Sequence, residues 1–461
     1  MRGLGQCGRV PLTMTTLLLG AAFAMTPPPV LAGGFQIASF SGMAQGRRNA
    51  GAAATADTPA TVLFNPAGLS RLQGRQLEVG LNYILPTTDF SNAGSTDPFG
   101  GPATGRSSDD SGENALLPSG FYSHRLSDQV ALGLGVFAPY GLATEYDDQW
   151  VGRYHAIRSE LTTLDINPAI AYRLNQRLSI GAGLDAVYAS AELTNAVDFG
   201  SILSAAAGPQ PNVGITPANP AADGFTALKG NDWGWGWNLG LLYELDQGTR
   251  LGVSYRSEVS LTLDGDSTTR VPSNLVSASG GILRPEQIDI KSDLDLPATL
   301  SLGAYHALNK RWALMVGAIW TDWSSFEETR VRFADGRRDF VEAQDWKDTW
   351  RFSLGAEVRY SPALSLRAGV EYDQTPITQA AKRPRIAEDD LIWLAAGFSY
   401  AVTPSLTLDF AYSHVFIDDH DIDIDEATTP YLTSGALPAN RLIGDYQGDA
   451  DILTIGLRWA F

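Results

Sequence analysis

Between Thr349 and Tyr372 the chain alternates with period two, and that regularity limits its possible folds more than any other feature. Trp350, Phe352, Leu354, Ala356, Val358 and Tyr360 interleave with Arg351, Ser353, Gly355, Glu357 and Arg359. After a break at Ser361, Pro362 and Ala363 the pattern resumes: Leu364, Leu366, Ala368, Val370 and Tyr372 alternate with Ser365, Arg367, Gly369, Glu371 and Asp373. Side chains of a strand point to opposite faces in turn, so this is a hairpin with one apolar and one polar face. Each run is about ten residues, the length of a tilted strand crossing a hydrocarbon layer. Trp350, Tyr360 and Tyr372 end the apolar faces, where interfacial aromatic girdles are expected. Charge on the opposite face means that it meets water or a plug, not a dry core. The hairpin reads as two staves of a transmembrane β-barrel.

The same pattern recurs along the chain. Fourteen candidate strands lie near 75–86, 116–126, 129–139, 158–174, 177–193, 233–246, 249–264, 290–307, 310–326, 345–360, 363–373, 391–402, 405–416 and 449–461. Short turns, such as Leu126-Ser127-Asp128, Leu174-Asn175-Gln176, Asp246-Gln247-Gly248 and Ser361-Pro362-Ala363, alternate with long segments near 87–115, 140–157, 194–232, 265–289, 327–344, 374–390 and 417–448. Loops sorted by length in this way mark bacterial outer-membrane barrels, whose short turns are periplasmic. In the last strand Leu453, Ile455, Leu457, Trp459 and Phe461 form one aromatic-tipped face. Closing an even number of strands leaves no polar edge in the bilayer. The expected fold is therefore all-β: a 14-stranded antiparallel transmembrane β-barrel over residues 75–461, monomeric, in the bacterial outer membrane.

Residues 1–32 read as a signal peptide. Arg2 and Arg9 form a basic start, Leu12 to Met25 is a short apolar stretch, and Val30-Leu31-Ala32 supplies small residues before Gly33. The chain's one cysteine, Cys7, lies within this segment. Removing Arg2 and Arg9 leaves 51 acidic against 31 basic residues, a formal charge of −20. Such a surplus argues against nucleic acid as a partner. It reads first as solvated loop charge, and second as a surface that holds divalent cations against lipopolysaccharide. Residues 33–74 are rich in Gly and Ala, lack alternation, and carry turn chemistry at Asn65-Pro66-Ala67-Gly68. They are expected to form an N-terminal hatch, or plug, inside the lumen, because a wide barrel needs filling.

Catalysis has little support. His124, His155, His306, His414 and His420 are scattered, and no nucleophile or zinc motif occurs, so no catalytic residue, metal or cofactor is expected. Asp419, Asp421, Asp423 and Asp425 alternate along an extended ribbon without the glycine and terminal glutamate of a calcium loop, and read as solvated charge. Trp233, Trp235 and Trp237 share one strand face and read as interfacial girdle. The inward charges Arg351, Glu357, Arg359, Arg367 and Glu371 read as pairing with one another and with the plug, an ion path being the alternative.

One strand breaks its own rule. Residues 129–138 alternate, and then comes Phe137-Ala138-Pro139-Tyr140-Gly141-Leu142. Pro139 has no N–H for a ladder, and Gly141 tolerates a bulge. Either the strand ends here or the wall opens. Here the chain resembles the long-chain fatty-acid outer-membrane transporters (the FadL family, with its toluene transporters). The resemblance rests on Tyr140-Gly141-Leu142-Ala143-Thr144-Glu145-Tyr146, Ala171-Tyr172-Arg173-Leu174, the run from Asn231 through Trp233, Trp235 and Trp237 to Asn238, Tyr255-Arg256-Ser257-Glu258-Val259, Gly34-Phe35-Gln36 and Asn65-Pro66-Ala67. It implies passive uptake of long-chain fatty acids or other hydrophobic small molecules, and a lateral opening at the kinked third strand around Phe137, Pro139, Tyr140 and Gly141. It further implies that Asn65, Pro66 and Ala67 belong to the hatch. Phe35 would touch the ligand, and Arg330, with Arg332 nearby, would meet a carboxylate. The chain departs from the pattern after the fifth strand, where fatty-acid carriers can have a second arginine and Thr194-Asn195 stands here. That departure leaves uptake of aromatic or alkane hydrocarbons, or a general diffusion pore, as alternatives.

Overall fold

The computed structural model describes residues 33–461 except 39, 210, 212, 213 and 426–439; the expected signal peptide lies outside them. Fourteen antiparallel strands form one closed sheet. In chain order they are β1 (Arg75–Asn92), β2 (Ala115–Arg125), β3 (Val130–Phe137, resuming as Gly141–Glu145), β4 (Arg158–Arg173), β5 (Leu178–Asp198) and β6 (Asp223–Glu244). Next come β7 (Thr249–Arg256 and Val259–Arg270), β8 (Glu286–Leu296 and Thr299–Ala307), β9 (Trp312–Thr321), β10 (Thr349–Arg359) and β11 (Leu364–Asp373). The last three are β12 (Leu391–Ala401), β13 (Leu406–Ile417, continued by His420–Ile424) and β14 (Leu442–Ala460). Each pairs with its neighbour in sequence, and β1 closes on β14 from Gln76 opposite Ala460 to Asn92 opposite Gly444. Closure satisfies the backbone groups that lipid cannot.

Alternation sorts the two faces as the sequence requires. Leu81, Tyr83, Ile455 and Leu457 are exposed on the outside, while Asn82 and Thr454 between them are buried and share a 2.7 Å hydrogen bond. Trp233, Trp235 and Trp237 all face outward, with Tyr188 and Tyr255 beside them. Several strands run further on the long-loop side than hydrophobic alternation shows: β5 reaches Asp198, β6 starts at Asp223 and β14 at Leu442. Beyond the hydrocarbon the outer face no longer needs apolar residues, so the ladder continues without its sequence signature. The segment 327–344 holds a hairpin of its own, Glu328–Phe333 with Phe340–Ala343, attached to β8 through Ile290 opposite Phe333.

The described residues of 33–73 run inside the barrel. Three single-turn helices, Gly42–Gln45, Ala52–Thr55 and Thr61–Phe64, precede a 3₁₀ turn at Pro66–Arg71, and most of these side chains are buried. Helices this short do not persist alone, so their shape is imposed by the wall. Wall glycines make the close approach possible. A Cβ on Gly240 would stand 2.0 Å from Asn65 Oδ1, and one on Gly252 only 1.9 Å from the Ala53 carbonyl. Asn65 accepts from the Ala67 N–H at 3.0 Å and donates to the carbonyls of Ala53 (2.6 Å) and Leu241 (3.0 Å), tying the turn to β6.

Buried charge holds the segment as well. Arg48 pairs with Glu371 at 3.0 Å while lying over the Trp393 ring, and Arg47 pairs with Asp57 at 2.9 Å. Arg351 reaches Asp373 at 3.0 Å, and Arg367 reaches Glu357 at 2.7 Å. Arg351, Glu357, Arg367 and Glu371 thus pair with one another or with the inner segment, whereas Arg359 is exposed near the short turns. Asp419, Asp421, Asp423 and Asp425 are exposed, with Asp423 bound to Arg441.

Candidate functional site

The third strand does break. It stops at Phe137 and resumes at Gly141, and its ladder with β2 runs only from Gly120 opposite Val136 to Arg125 opposite Ala131. Toward the long loops the two strands part, while β3 stays paired to β4 on its other side. The inner segment lies behind the gap. The Ile37 N–H donates to the Pro139 carbonyl at 2.9 Å, and the Gly141 N–H donates to the Phe35 carbonyl at 2.8 Å. Ser119 Oγ donates to the Phe40 carbonyl at 2.6 Å from the β2 side. On β4, Thr163 Oγ1 bonds both the N–H (3.0 Å) and the carbonyl (2.5 Å) of Tyr140. The kink therefore leaves few buried backbone groups orphaned. Phe40 packs edge-on against Phe137, which stacks on Phe121, so the gap is also stopped by aromatic rings.

Phe35 is the link between the gap and a cavity above it. Its ring is 3% exposed and sits among Trp323, Phe326, Trp346 and Tyr140, with centroids 4.8 to 5.9 Å away. Gly34 makes this placement possible. Its φ is +68°, and a Cβ there would meet Trp323 and Trp346 at 2.6 and 2.7 Å. Its N–H is held by Glu388 Oε1 at 2.7 Å, in a site where burial pushes the Glu388 carboxyl well above its ordinary range.

The cavity holds about 120 Å³ and is mostly apolar, with Phe35, Leu142, Leu161, Leu263, Phe340, Trp346 and Ile377 on its walls. Polar residues line it as well, among them Glu160, Asp293, Glu342, Arg383 and Arg385. Neither Arg330 nor Arg332 lines it. In the hairpin, Thr329 faces the cavity, so the next residue, Arg330, faces away, where Glu328 (2.6 Å) and Asp339 (3.0 Å) engage it. Arg332 follows on the same outer face and forks onto both oxygens of Asp293 at 2.7 Å.

The guanidinium that sequence reasoning missed is Arg385. It is half-buried in the 374–390 segment, and its Nη1 donates to Ser159 Oγ at 3.1 Å and lies 3.4 Å from the Thr194 carbonyl. Among the described residues these Nη1 partners are a hydroxyl and main-chain carbonyls. Burial lowers its pKa, with Glu342 and Tyr146 opposing. A cation from another loop thus stands against Thr194, the place where the sequence lacks an arginine. The signal that finds it is spatial: nothing in the 374–390 sequence singles it out.

A second space, about 690 Å³ and polar, opens at the short-turn end, where Ser361, Pro362 and Ala363 stand beside Arg250, Arg311 and Arg359. The inner segment contributes Met43 and Asp57 to its lining, and Phe35 to that of the apolar cavity.

A closed transmembrane barrel, with its N-terminal segment packed inside and an apolar cavity behind a break in one strand, is the build of an outer-membrane channel for hydrophobic compounds. The comparisons agree with that class. Residues 23–461 match the outer membrane protein transport protein family (OMPP1/FadL/TodX), and the chain belongs to it. Members of this family are transport channels of the outer membrane, not enzymes. A long-chain fatty acid transport protein of Escherichia coli O6:H1 is 31% identical over 409 residues, spanning 87% of this chain and 91% of that one. The crystal structure of a Pseudomonas aeruginosa FadL homologue has a TM-score of 0.81 at 23% identity, covering 93% of this chain and 100% of that chain. The Ralstonia pickettii toluene transporter TbuX has a TM-score of 0.63 at 22% identity, covering 92% and 99%. At such identities these two likenesses concern the fold.

Proposed function

We propose that the chain is a passive, monomeric channel for long-chain fatty acids, with residues 33–74 as its hatch and the β2–β3 gap as a sideways exit. The observation that carries this reading is a mostly apolar cavity with Arg385 in its lining: the apolar walls suit an alkyl tail, the guanidinium a carboxylate. The likeness to a long-chain fatty acid transport protein supports the same substrate class.

The cavity is smaller than the roughly 300 Å³ at which ligand pockets begin. A long tail therefore enters by displacing the Phe35 ring. Phe35 and Gly141 share a backbone hydrogen bond, so that displacement also loosens the stopper behind the kink. Lateral release then follows from the hydrophobic effect. At ~0.8 kcal/mol per CH₂, a sixteen-carbon tail leaving the cavity for water costs on the order of 10 kcal/mol. A gap in the wall hands the tail to lipid and avoids that cost.

Uncharged hydrocarbons are the second reading, favoured by Glu342, a lining residue whose charge already acts on Arg385. Binding of a fatty acid and of its methyl ester by the purified barrel separates the two. Tighter binding of the acid is expected; equal affinity would assign the cavity to uncharged ligands.

A further inference from the structure

Beneath the kink the apolar lining of the wall ends abruptly on buried charge. Reading β4, β5 and β7 toward the short-turn side, the buried lining passes from Leu161, Val187 and Val259 to Asp165, Asp185 and Arg256. Arg256 Nη1 pairs with Asp165 Oδ2 at 3.0 Å and with Asp185 Oδ1. Asn238 on β6 donates to both oxygens of Asp185, at 3.0 and 3.2 Å. Both aspartates are 0% exposed, and Asp165 Oδ1, Asn238 Oδ1 and Arg256 Nη2 have no partner among the described residues.

The cluster belongs to the exit by position. Asp165 stands opposite Phe137, the last residue before the break, and Arg256 lies 5.6 Å from the Phe137 ring centroid. Two residues along β4, Thr163 holds the backbone of Tyr140. The charged and titratable groups here are Asp165, Asp185, Arg256 and the Tyr140 hydroxyl, whose own bond goes to the Pro297 carbonyl.

Two carboxylates share one guanidinium, so an arriving anion finds the Arg256 charge already engaged. Desolvating that anion beside two buried carboxylates is unfavourable, whereas an alkyl chain or a neutral head group meets no such barrier. We propose that Asp165, Asp185 and Arg256 form a charge filter at the foot of the lateral route. The filter passes uncharged apolar molecules and carboxylic acids in their neutral form, and turns back permanently anionic amphiphiles. This inference rests on the lateral reading above.

The test uses cells that lack their own fatty-acid channel and express the full chain. The initial uptake rates of labelled hexadecanol and hexadecane-1-sulfonate are compared, each above the empty-vector rate. The wild-type channel should favour the alcohol by at least about tenfold, and Asp165→Asn with Asp185→Asn, which leaves Arg256 as a net positive charge, should shrink that ratio several-fold. Equal rates in the wild type would overturn the proposal, as would an unchanged ratio in a double variant that keeps heat-modifiable gel migration. Should the double variant fail to fold, Asp185→Asn alone takes its place, and the wild-type ratio remains decisive. A variant with Pro139 and Gly141 replaced to straighten β3 distinguishes the two ideas. Normal rates for both probes there would sink the lateral route and the filter with it, whereas uptake lost in that variant together with equal wild-type rates would sink the filter alone.

Discussion

At the scale of single residues, the two arginines of the 328–343 hairpin and Arg385 separate a surface charge from one that lines the cavity. Arg330 already has two carboxylate partners, whereas Arg385 lines the cavity and donates to neutral oxygens. A charge-assisted hydrogen bond contributes about 1.5–3 kcal/mol, so Arg385→Gln should weaken fatty-acid binding roughly 10- to 100-fold. The methyl ester should bind the variant as before, and Arg330→Gln should change neither affinity; displacement of a fluorescent fatty acid from the purified barrel measures all four. His155 offers a pH test in the long loop after β3. Its Nε2 lies 2.8 Å from the Asn440 carbonyl, its Nδ1 has no partner among the described residues, and burial holds its pKa down at about 4. An unfolded histidine titrates near pH ~6.5, so the unfolded loop takes up a proton that the folded loop refuses. Packing around His155 is then unpenalised above pH ~6.5 and is progressively lost as the pH falls toward ~4, by about 3 kcal/mol in full. The protection factors of amides 150–157, which correct exchange for its intrinsic pH dependence, should fall between pH 7 and 4.5, and His155→Gln should flatten that dependence.

At the scale of elements, the third strand carries the argument. Restoring its ladder, with Pro139→Val and Gly141→Val, should pair β3 with β2 along its length and displace Phe35 to Ile37 from their hydrogen bonds. Uptake of a labelled fatty acid by cells should fall to the empty-vector level while heat-modifiable migration persists; normal uptake would refute the sideways exit. Much of this was legible in the sequence. Lipid demands an apolar residue at every second position, so the membrane-crossing parts of all fourteen strands announce themselves, and Pro139 marks the break within one of them. What lay beyond reach follows from distance. The partners of Pro139 and Gly141 are Ile37 and Phe35, about a hundred residues away and without alternation to betray them. The hairpin at 328–343 hid inside a long loop, so its alternation, which turns Arg330 outward, went unread. Arg385 acquires its place only once β4 and β5 bring Ser159 and Thr194 beside it.

At the scale of the whole molecule, the barrel separates two compartments: an apolar cavity toward the long loops and a polar space of about 690 Å³ at the short-turn end. What lies between them is the inner segment, held less by its own structure than by the wall. Its helices are single turns, and its backbone presses on glycines: a Cβ on Gly240 would overlap Asn65 Oδ1, one on Gly252 the Ala53 carbonyl, and one on Gly181 the Ala67 nitrogen at 2.3 Å. These neighbours are backbone or backbone-bound atoms, so a larger residue cannot be absorbed by a side-chain rotation. Valine suits the strand itself, which makes Gly240→Val with Gly252→Val a means of unseating the segment without spoiling the cylinder. With the segment displaced, the remaining inner face is polar and charged, with Arg250, Glu357 and Arg367 on it, and such a lumen fills with water. The double variant should therefore show steady ion conductance in planar bilayers where the parent chain is silent, with its heat-modifiable migration intact. A silent double variant would mean that the wall charges themselves, or the long loops, close the barrel, and that the inner segment is not its barrier.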